Sequence, residues 1–507
     1  MAERARTRSS RSGRRWAWRA AALALLVAYL ATAFWHSTKP LPEGLRVTSA
    51  PVDVDAQSLR FLADVTGADA FSQPVLSSQV FDATLALVAD ARDLLVLDYF
   101  LFNAQRGGGA DVSPDRRLRG VSGELSRALL ARHAADPRLP ILVLVDPINS
   151  GYGPQLPPEL AALRAAGIDV VTVDLDPLRD SNALYSAAWR LLLRWWLKPA
   201  QEGSLPNLLD GAGAPVSAGA IARLLNFKAD HRKLVITGDG HGSLRGIVSS
   251  ANPHDASSAH SNVGLQLSGP ALLPLLHSEL AIARLSGWRG SLPEPARGAL
   301  AEAATTRAGA RVRVVTEGAI ADALLARIEA SATGDGIDVA LFYLSDRLVV
   351  RALLAAARRG AAVRVLLDPN KDAFGHEKSG LPNRQVAAEL VSASDGAIRV
   401  RWYRTHGEQF HTKLVAISHG DELWFMLGSA NLTRRNLEDF NLEADVIVEV
   451  PRATPLAGSV GRWYEMLWGN RAAGGIEYTA DVDVYADPSQ GRYWLYRFME
   501  ATGLSTF

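Results

Sequence analysis

"FHTKLVAISHG" (410–420) and "DHRKLVITGDG" (230–240) share one pattern, a His-x-Lys triplet placed directly before an apolar run. The apolar run predicts a buried strand, whereas histidine and lysine are residues that strands in cores seldom contain. The chain has 11 histidines and only seven lysines, so random placement would give far fewer than one such triplet. The pattern therefore predicts one site made of two equivalent halves.

The residue types in the two triplets suit a phosphodiester. Histidine and lysine at positions i and i+2 of a strand share one face. A Ser-Ala-Asn turn follows each triplet, and its asparagine comes 21 and 20 residues after the histidine. Two imidazoles can supply a nucleophile and an acid, while ammonium and amide groups neutralise phosphoryl oxygens. Such a set requires no metal or cofactor. The candidate catalytic residues are His231, Lys233, Asn252, His411, Lys413 and Asn431, with Ser250 and Ser429 as candidate substrate-binding residues.

The surrounding sequence repeats as well. "VLVDPINSGYG" (143–153) resembles "VLLDPNKDAFG" (365–375), and apolar β-rich runs alternate with Ala/Leu/Arg-rich helical stretches. This pattern predicts an α/β fold made of two duplicated α/β-sandwich lobes that are related by a pseudo-twofold axis, with the active site at their interface. We expect the first lobe at 66–295, with an insertion near 175–220, and the second lobe with a C-terminal tail at 296–507.

These motifs resemble those of the phospholipase D superfamily, which includes cardiolipin synthase-like enzymes. The resemblance runs from about residue 70 to residue 470, and it implies a cleft between two lobes and a phosphohistidine intermediate. The family's aspartate, five residues after the lysine, is replaced here by Gly238 and Ser418; Asp239 and Asp421 fall one and three residues later. By family habit His231 is the nucleophile.

A downstream acid is expected to orient a catalytic histidine, and Glu443 in "NLE" is the seventh candidate catalytic residue. We expect it to pair with His411, which would then be the better nucleophile, so that the roles of the two histidines stay open. The matching first-half position in "NVG" is Gly264. On this alignment His231 needs another partner, for which Asp255 and His260 are candidates.

The N-terminus predicts a membrane segment. Residues 1–19 contain seven arginines and one glutamate, and an uncharged run with tryptophans at both edges follows. We expect residues 1–40 to be a signal anchor that leaves the body outside the cytoplasm, or a cleavable signal peptide that releases a secreted or periplasmic protein. Residues 41–65 are expected to form a linker. The aromatic and basic stretch 185–198 is a second candidate membrane contact.

Composition narrows the function classes. The chain carries a formal charge of +1, of which 1–19 contribute +6 (seven arginines less one glutamate), so the remainder is −5. An acidic body disfavours nucleic acid as a partner. The absence of cysteine excludes thiol catalysis. The sequence thus predicts a phospholipase D-type phosphodiesterase, a hydrolase or phosphatidyltransferase acting on phospholipid headgroups. The alternatives are an exported nuclease or polynucleotide phosphodiesterase, and a catalytically degenerate, membrane-anchored binding protein. Headgroup, acceptor and oligomeric state are not predicted.

Overall fold

The structure, a computed structural model, describes residues 2–68, 74–105, 118–200, 203–207, 215–293, 309–373, 376–471, 475–505 and 507. The expected lobe boundary at 295–296 lies outside these residues, as do parts of the insertion. The helices are α1 (Ala2–Thr38), α2 (Gln79–Asp90), α3 (Val121–Ala135), α4 (Pro158–Ala165), α5 (Ala183–Ala188), α6 (Arg194–Trp196), α7 (Ala218–Leu224), α8 (Leu273–Leu285), α9 (Gly318–Glu329), α10 (Arg347–Arg358), α11 (Asn383–Ala393), α12 (Arg434–Leu437), α13 (Pro455–Trp468) and α14 (Gln490–Thr502). A π-helical segment, Trp189–Leu193, joins α5 to α6.

The strands among these residues form two large sheets and a two-stranded ribbon. The first sheet has the order β3-β2-β9-β8-β7-β4-β5-β6, and the second has the order β1-β10-β18-β17-β16-β11-β12-β15-β19. The strands are β1 (Val52–Val54), β2 (Arg60–Ala68), β3 (Pro74–Ser78), β4 (Leu95–Tyr99), β5 (Ile141–Val145), β6 (Asp169–Thr172), β7 (Lys233–Gly238), β8 (Leu244–Ser249), β9 (Asn262–Ser268), β10 (Ala310–Thr316), β11 (Gly336–Leu341), β12 (Ala362–Leu367), β13 (Asp372–Ala373), β14 (His376–Glu377), β15 (Arg399–Tyr403), β16 (Lys413–His419), β17 (Glu422–Gly428), β18 (Ala444–Pro451) and β19 (Thr479–Asp481).

Seven strands of one sheet have counterparts in the other. The order β2-β9-β8-β7-β4-β5-β6 matches β10-β18-β17-β16-β11-β12-β15. In both runs the first four pairings are antiparallel and the last two are parallel. The predicted fold class, two duplicated α/β lobes, is confirmed. The strands that begin with the two lysines, β7 and β16, are equivalent and lie in the interior of their sheets.

The two sheets pack face to face, with helices on their outer faces. Alternate residues of β16 show this: Leu414 and Ala416 enter the core between the sheets, whereas Val415 and Ile417 join the core beneath the helices of the second lobe. This alternation follows from the two-residue period of a strand. The apolar runs that follow each His-x-Lys triplet are therefore buried on both sides, and they hold the triplets rigidly.

Residues 41–65, expected to be a linker, are structured. Strand β1 pairs with β10 of the second sheet, and β2 pairs with β9 of the first. Leu45 is buried, and its carbonyl oxygen accepts hydrogen bonds from Ser278 and Thr316, one in each lobe. The segment therefore connects the two lobes, because it forms strands in both sheets and its Leu45 carbonyl oxygen is bonded to both lobes.

The helix α1 contains a segment, Arg15–Thr38, that is long and apolar enough to cross a membrane, and only 6% of its most apolar window is buried against the protein. A core helix would be covered, so the exposed face needs another apolar environment. A membrane span and a signal sequence both fit this segment.

Candidate active site

The two His-x-Lys triplets meet at the junction of the lobes. His231 and His411 lie on the loops that lead into β7 and β16, and each loop is bonded to the opposite lobe. The His231 N–H donates to the Leu442 carbonyl oxygen, and the His411 N–H donates to the Ser261 carbonyl oxygen, both at 2.9 Å. These reciprocal bonds bring the two imidazoles and the two lysines together as one buried cluster, in which the charges of Lys233, Lys413 and His231 act on His411.

Glu443 contacts the histidine of the other lobe. Its two carboxylate oxygens lie 2.9 and 3.0 Å from His231 Nδ1. A carboxylate accepts but does not donate, so Nδ1–H is the donor and Nε2 carries the lone pair. The expected pairing of Glu443 with His411 is wrong, because Leu442 is bonded to the His231 backbone and carries the next residue across the interface. Asp255, a proposed partner of His231, instead accepts hydrogen bonds from Ser122.

Among the residues that the structure describes, His411 has only uncharged partners at Nδ1. The Ser250 carbonyl oxygen lies 2.9 Å from Nδ1, and Asn262 Oδ1 lies 3.3 Å from it. The Asn262 amide donates to the His260 carbonyl oxygen at 3.1 Å, which turns its oxygen toward His411. Both neighbours are acceptors, so Nδ1 donates here as well. The two histidines therefore have the same tautomer but different electrostatic support.

Asn262 occupies the position that Glu443 has in the other lobe. The Ser250 hydroxyl donates to Asn262 Oδ1, as the Ser429 hydroxyl does to Glu443. The register of the strands places Gly264 opposite Ser249 and Asp445 opposite Gly428, so Gly264 corresponds to Asp445. The alignment of "NVG" with "NLE" was therefore wrong by two residues.

Ser250 and Ser429 are not placed to touch a substrate. Both are completely buried. Their hydroxyls are committed to Asn262 and Glu443, and they also accept hydrogen bonds from the backbone N–H groups of Val263 and Ala444. The expected substrate-binding role is replaced by a supporting one, since each serine fixes the side chain that orients a histidine.

The two lysines have matching surroundings. Lys233 Nζ donates to the His231 carbonyl oxygen at 2.5 Å, and Lys413 Nζ donates to that of His411 at 2.9 Å. The ammonium groups lie 5.3 Å from the ring centre of Phe100 and 5.2 Å from that of Phe342. These rings also lie 5.0 Å from the imidazoles of the same triplets. Each half thus presents an imidazole and an ammonium group beside one aromatic ring.

The asparagines after the triplets differ. Asn252 Oδ1 accepts a hydrogen bond from the Leu101 N–H at 3.1 Å. Asn431 Oδ1 is buried and has no hydrogen-bond partner among the described residues. Lys378 lies near this half of the site, because its ammonium group is bonded to the Tyr343 hydroxyl and lies 5.4 Å from the ring centre of Phe342. Among the described residues, no three His, Asp or Glu side chains are placed to hold a metal ion.

Burial and crowding of positive charge set the protonation states. Burial lowers the pKa of His231 to about 4, although Glu443 opposes this effect. Burial, Lys413 and His260 hold the pKa of His411 well below its usual value, and burial lowers the pKa of Lys233 to about 8. Burial alone would raise the pKa of Glu443, but His231 and Lys233 outweigh it and keep the carboxylate ionised. The negative charge of a bound anion would oppose the lowering of the pKa values of the two histidines and Lys233, and would therefore raise the pKa of His411.

Two aspartates that end strands fix the catalytic loops. Asp146 follows β5, and its carboxylate accepts hydrogen bonds from the N–H groups of Ile148 and Asp230, at 2.7 and 2.6 Å. Asp368 follows β12 and does the same for Asn370 and Phe410, at 2.6 and 2.7 Å. Since Asp230 and Phe410 directly precede the two histidines, these carboxylates set the start of each triplet.

Behind the first triplet lies a buried charge cluster that sequence reasoning missed. Arg232 bonds to Glu279 and Glu317, both at 2.7 Å, and so joins α8 of the first lobe to the residue before α9 of the second. Asp98 and Asp230 lie beside it, and burial raises their pKa values well above normal. One guanidinium does not balance four buried carboxylates, so burial favours the protonated forms of Asp98 and Asp230. The sequence feature that could have indicated this cluster is Asp98, an aspartate inside the apolar strand "LVLDY".

One family model and several solved structures are similar to this chain. The family model described as "Cardiolipin synthase, PLD-like domain" matches residues 324–468. Phosphatidylserine synthase from Haemophilus influenzae Rd KW20 is 10% identical over 90% of this chain and 98% of that chain, with a TM-score of 0.53. Polyphosphate kinase from Porphyromonas gingivalis is 12% identical over 93% and 56% of the two chains (TM-score 0.44), and the phospholipase D family member Nuc from Salmonella typhimurium is 20% identical over 34% and 97% (TM-score 0.27). A comparison with curated proteins gave no match.

Residues 324–468 therefore resemble a phospholipase D-like domain, and the chain as a whole shares the fold of the phosphatidylserine synthase. The positions five residues after the two lysines, Gly238 and Ser418, lie away from the histidines. Ser418 lies five residues beyond Lys413 along β16, about 17 Å away at about 3.4 Å per residue. Its hydroxyl contacts the Gly336 carbonyl oxygen, and Asp239 accepts hydrogen bonds from two N–H groups of the turn between β7 and β8. These positions therefore lie far from the histidines along their strands.

Proposed function

We propose that this protein is a membrane-anchored phospholipase D-type phosphodiesterase that cleaves the headgroup phosphodiester of phospholipids, as a hydrolase or a phosphatidyltransferase, through a phosphohistidine and without a metal ion. The observation that carries the proposal is that the two histidines have different hydrogen-bond partners at Nδ1. His231 has a buried carboxylate at Nδ1, and His411 has only uncharged acceptors. The two imidazoles are thereby equipped for different roles.

In the first step, His231 Nε2 attacks phosphorus while the headgroup oxygen leaves. The new N–P bond makes the imidazole cationic, and Glu443 stabilises this charge through the Nδ1–H bond. Protonated His411 donates its Nε2 proton to the leaving oxygen, so no free alkoxide forms. In the free site, burial and the neighbouring cations lower the pKa of His411. The negative charge of the bound phosphodiester opposes this effect and so favours protonated His411.

In the second step, neutral His411 removes a proton from water or an alcohol, whose oxygen attacks the phosphohistidine. His231 leaves as a neutral imidazole, and the product is a phosphatidic acid or a new phosphatidyl ester. In this mechanism Lys233, Lys413 and the amides of Asn252 and Asn431 neutralise the phosphoryl oxygens. Among these groups Asn431 has an unused acceptor, which can receive the hydroxyl of an incoming acceptor or of the substrate.

The way α1 joins the body supports an anchor rather than a cleaved signal. Ala33 is buried, and the His36 carbonyl oxygen accepts a hydrogen bond from the Asp180 N–H at 2.8 Å. Cleavage after the Ala31-Thr32-Ala33 stretch would remove part of these contacts. The proposed topology therefore keeps the basic N-terminus in the cytoplasm and places the catalytic body outside it.

The test is trapping of the phosphoenzyme by rapid denaturation in alkaline detergent, on the full chain reconstituted with vesicles of ³²P-labelled phosphatidylglycerol or phosphatidylethanolamine. Wild type should give an acid-labile protein label and release headgroup, and His231→Ala should give neither. His419→Ala is the matched control, because that histidine is exposed at the far end of β16 and bonds to Asp335. Equal headgroup release by wild type and His231→Ala would refute the proposed function. Cleavage of single-stranded DNA but not lipid would identify the nuclease alternative.

A further inference from the structure

The region around the end of α1 carries exposed apolar side chains from two distant parts of the chain. In the insertion, Trp196 is 86% exposed and Leu192 62%; on the C-terminal helix α14, Trp494 is 64% exposed and Phe498 56%. We use the term apolar surface for the following residues, which are all exposed: Leu184, Leu191, Leu192, Trp195, Trp196, Trp494, Leu495, Phe498 and Leu504. Tryptophan, phenylalanine and leucine at this density are typical of a docking surface rather than of one facing water.

The two parts of the apolar surface meet beside α1. Tyr29 Oη of α1 donates to the Leu184 carbonyl oxygen of α5 at 2.7 Å. The residue after α14, Gly503, has a φ of +74° and packs so closely on the start of the insertion that a Cβ there would lie 2.0 Å from the Ser181 carbonyl oxygen. The start of the insertion therefore lies against the helix that is proposed to cross the membrane, and the C-terminal end of α14 lies against the insertion.

The contact between Tyr29 and Leu184 indicates how deep the start of the insertion lies relative to the outer end of α1. Tyr29 precedes Trp35, the tryptophan at the outer edge of α1, by six residues, which corresponds to about 9 Å at 1.5 Å per residue. Helices that lie in a membrane interface bury their apolar faces about 5–10 Å into the headgroup and acyl boundary. Arg194, which stacks on Trp195 at 4.5 Å, and the neighbouring Lys198 supply positive charge at the level of lipid phosphates.

We infer that the apolar surface, with α14 as a second element beside the insertion, is immersed in the outer leaflet and holds the catalytic cleft against the lipid headgroups. A path of ring contacts leads from the site toward the C-terminal segment: His411 to Phe342, Phe342 to Tyr343 and Tyr343 to the buried Phe507, with ring centres 5.0, 4.0 and 6.1 Å apart. Phe507 follows α14 closely in sequence, so these contacts connect the site to the segment that contains α14. This inference rests on the proposed membrane anchoring.

Because the chain contains no cysteine, single cysteines can be spin-labelled without background in the full chain, reconstituted in phosphatidylcholine–phosphatidylglycerol vesicles. The positions are Phe498→Cys and Leu192→Cys on the apolar surface, Leu25→Cys in the middle of α1, and Leu76→Cys as a control on the remote edge strand β3. The measurement is the accessibility of each spin label to two reagents: oxygen, which concentrates in lipid, and a nickel chelate, which stays in water. The ratio of the two accessibilities reports whether the label lies in lipid or in water. We expect the oxygen-to-nickel ratio at 498 and 192 to be severalfold higher than at 76, and close to that at 25.

Each other outcome has a defined meaning. If 498 and 192 match position 76 while 25 reports lipid, the inference is refuted and the anchor stands. If position 25 also reports water, the anchor and the inference both fail. Dipolar broadening between labels at 498 would show that a second copy of the chain covers α14, which also refutes it. As an activity readout, Phe498→Ser should lower turnover of vesicle phospholipid but not of a soluble short-chain phospholipid monomer, and Leu76→Ser should change neither.

Discussion

Replacing Glu443 by glutamine tests the assignment of the two histidines directly. The amide oxygen can still accept the Nδ1–H of His231, so the tautomer is retained, but the negative charge is lost. This charge is completely buried and acts on His231 at 2.9 and 3.0 Å. The variant therefore removes electrostatic support for an imidazolium while it keeps the size and shape of the side chain.

The expected loss follows from the geometry. Between unit charges about 4 Å apart, the Coulomb energy at an effective dielectric constant of about 20 is about 4 kcal/mol. If about half the charge has developed in the transition state, the barrier rises by about 2 kcal/mol, or roughly 30-fold in rate at 1.36 kcal/mol per tenfold. In the phosphohistidine itself the charge is complete, so its population should fall by up to about three orders of magnitude.

The assay is rapid-quench measurement of phosphoenzyme formation from a phosphodiester with a p-nitrophenyl leaving group, which needs little acid catalysis. Asn262→Ala is the matched control, because it removes the equivalent neighbour of His411 and should leave the burst nearly intact. Ser429 and Asn436 also donate to Glu443, so the melting temperature of each variant must be recorded to separate misfolding from chemistry. A normal burst in Glu443→Gln combined with a lost burst in Asn262→Ala would show that His411 is the nucleophile.

Three further outcomes are expected. His411→Asn should retain the burst with the p-nitrophenyl substrate but lose roughly 10²–10⁴-fold with an alkyl headgroup, which needs a general acid; equal losses on the two substrates would contradict this role. Asp98→Asn should raise the melting temperature at pH 8 more than at pH 5: burial raises the pKa of Asp98, so the folded state keeps a proton that the unfolded chain loses above about pH 4, and stability falls as pH rises. A difference that does not change with pH would disprove the retained proton. Arg232→Met should destabilise the protein by about 3–5 kcal/mol in urea unfolding, because it leaves buried carboxylates without a partner, whereas the half-exposed Arg245→Met should have little effect; similar losses in both would argue against the cluster.

The repeated fold and the location of the site could be predicted from the sequence because they depend on local patterns. A two-residue alternation places Leu414 and Val415 on opposite faces of a sheet, and two His-x-Lys triplets at equivalent places in a repeat have to face each other. Rare residue types in a recurring pattern are visible without coordinates. The family resemblance rested on these same residues.

The partner of each histidine could not be predicted, because it depends on contacts between the lobes. Glu443 is 32 residues from His411 and 212 from His231, and nothing local reveals that it reaches the more distant one. The equivalence of Asn262 and Glu443 became visible only through the serine hydroxyls that hold them. The buried cluster around Arg232 was missed for a similar reason, since its carboxylates come from four separate elements.

The cross-lobe contact of Glu443 has a consequence for the direction in which a substrate binds. A symmetric pair of identical lobes would give both histidines the same neighbour, and a phosphodiester could then bind in either of two orientations with equal cost. With a carboxylate at one imidazole and an amide at the other, only one orientation places the developing cation beside the anion. Because both lobes belong to one chain, the sequence of each lobe can change independently, so that one lobe carries Glu443 where the other carries Asn262. On the proposed mechanism, the headgroup is released on the His411 side and the diacylglycerol moiety stays with His231.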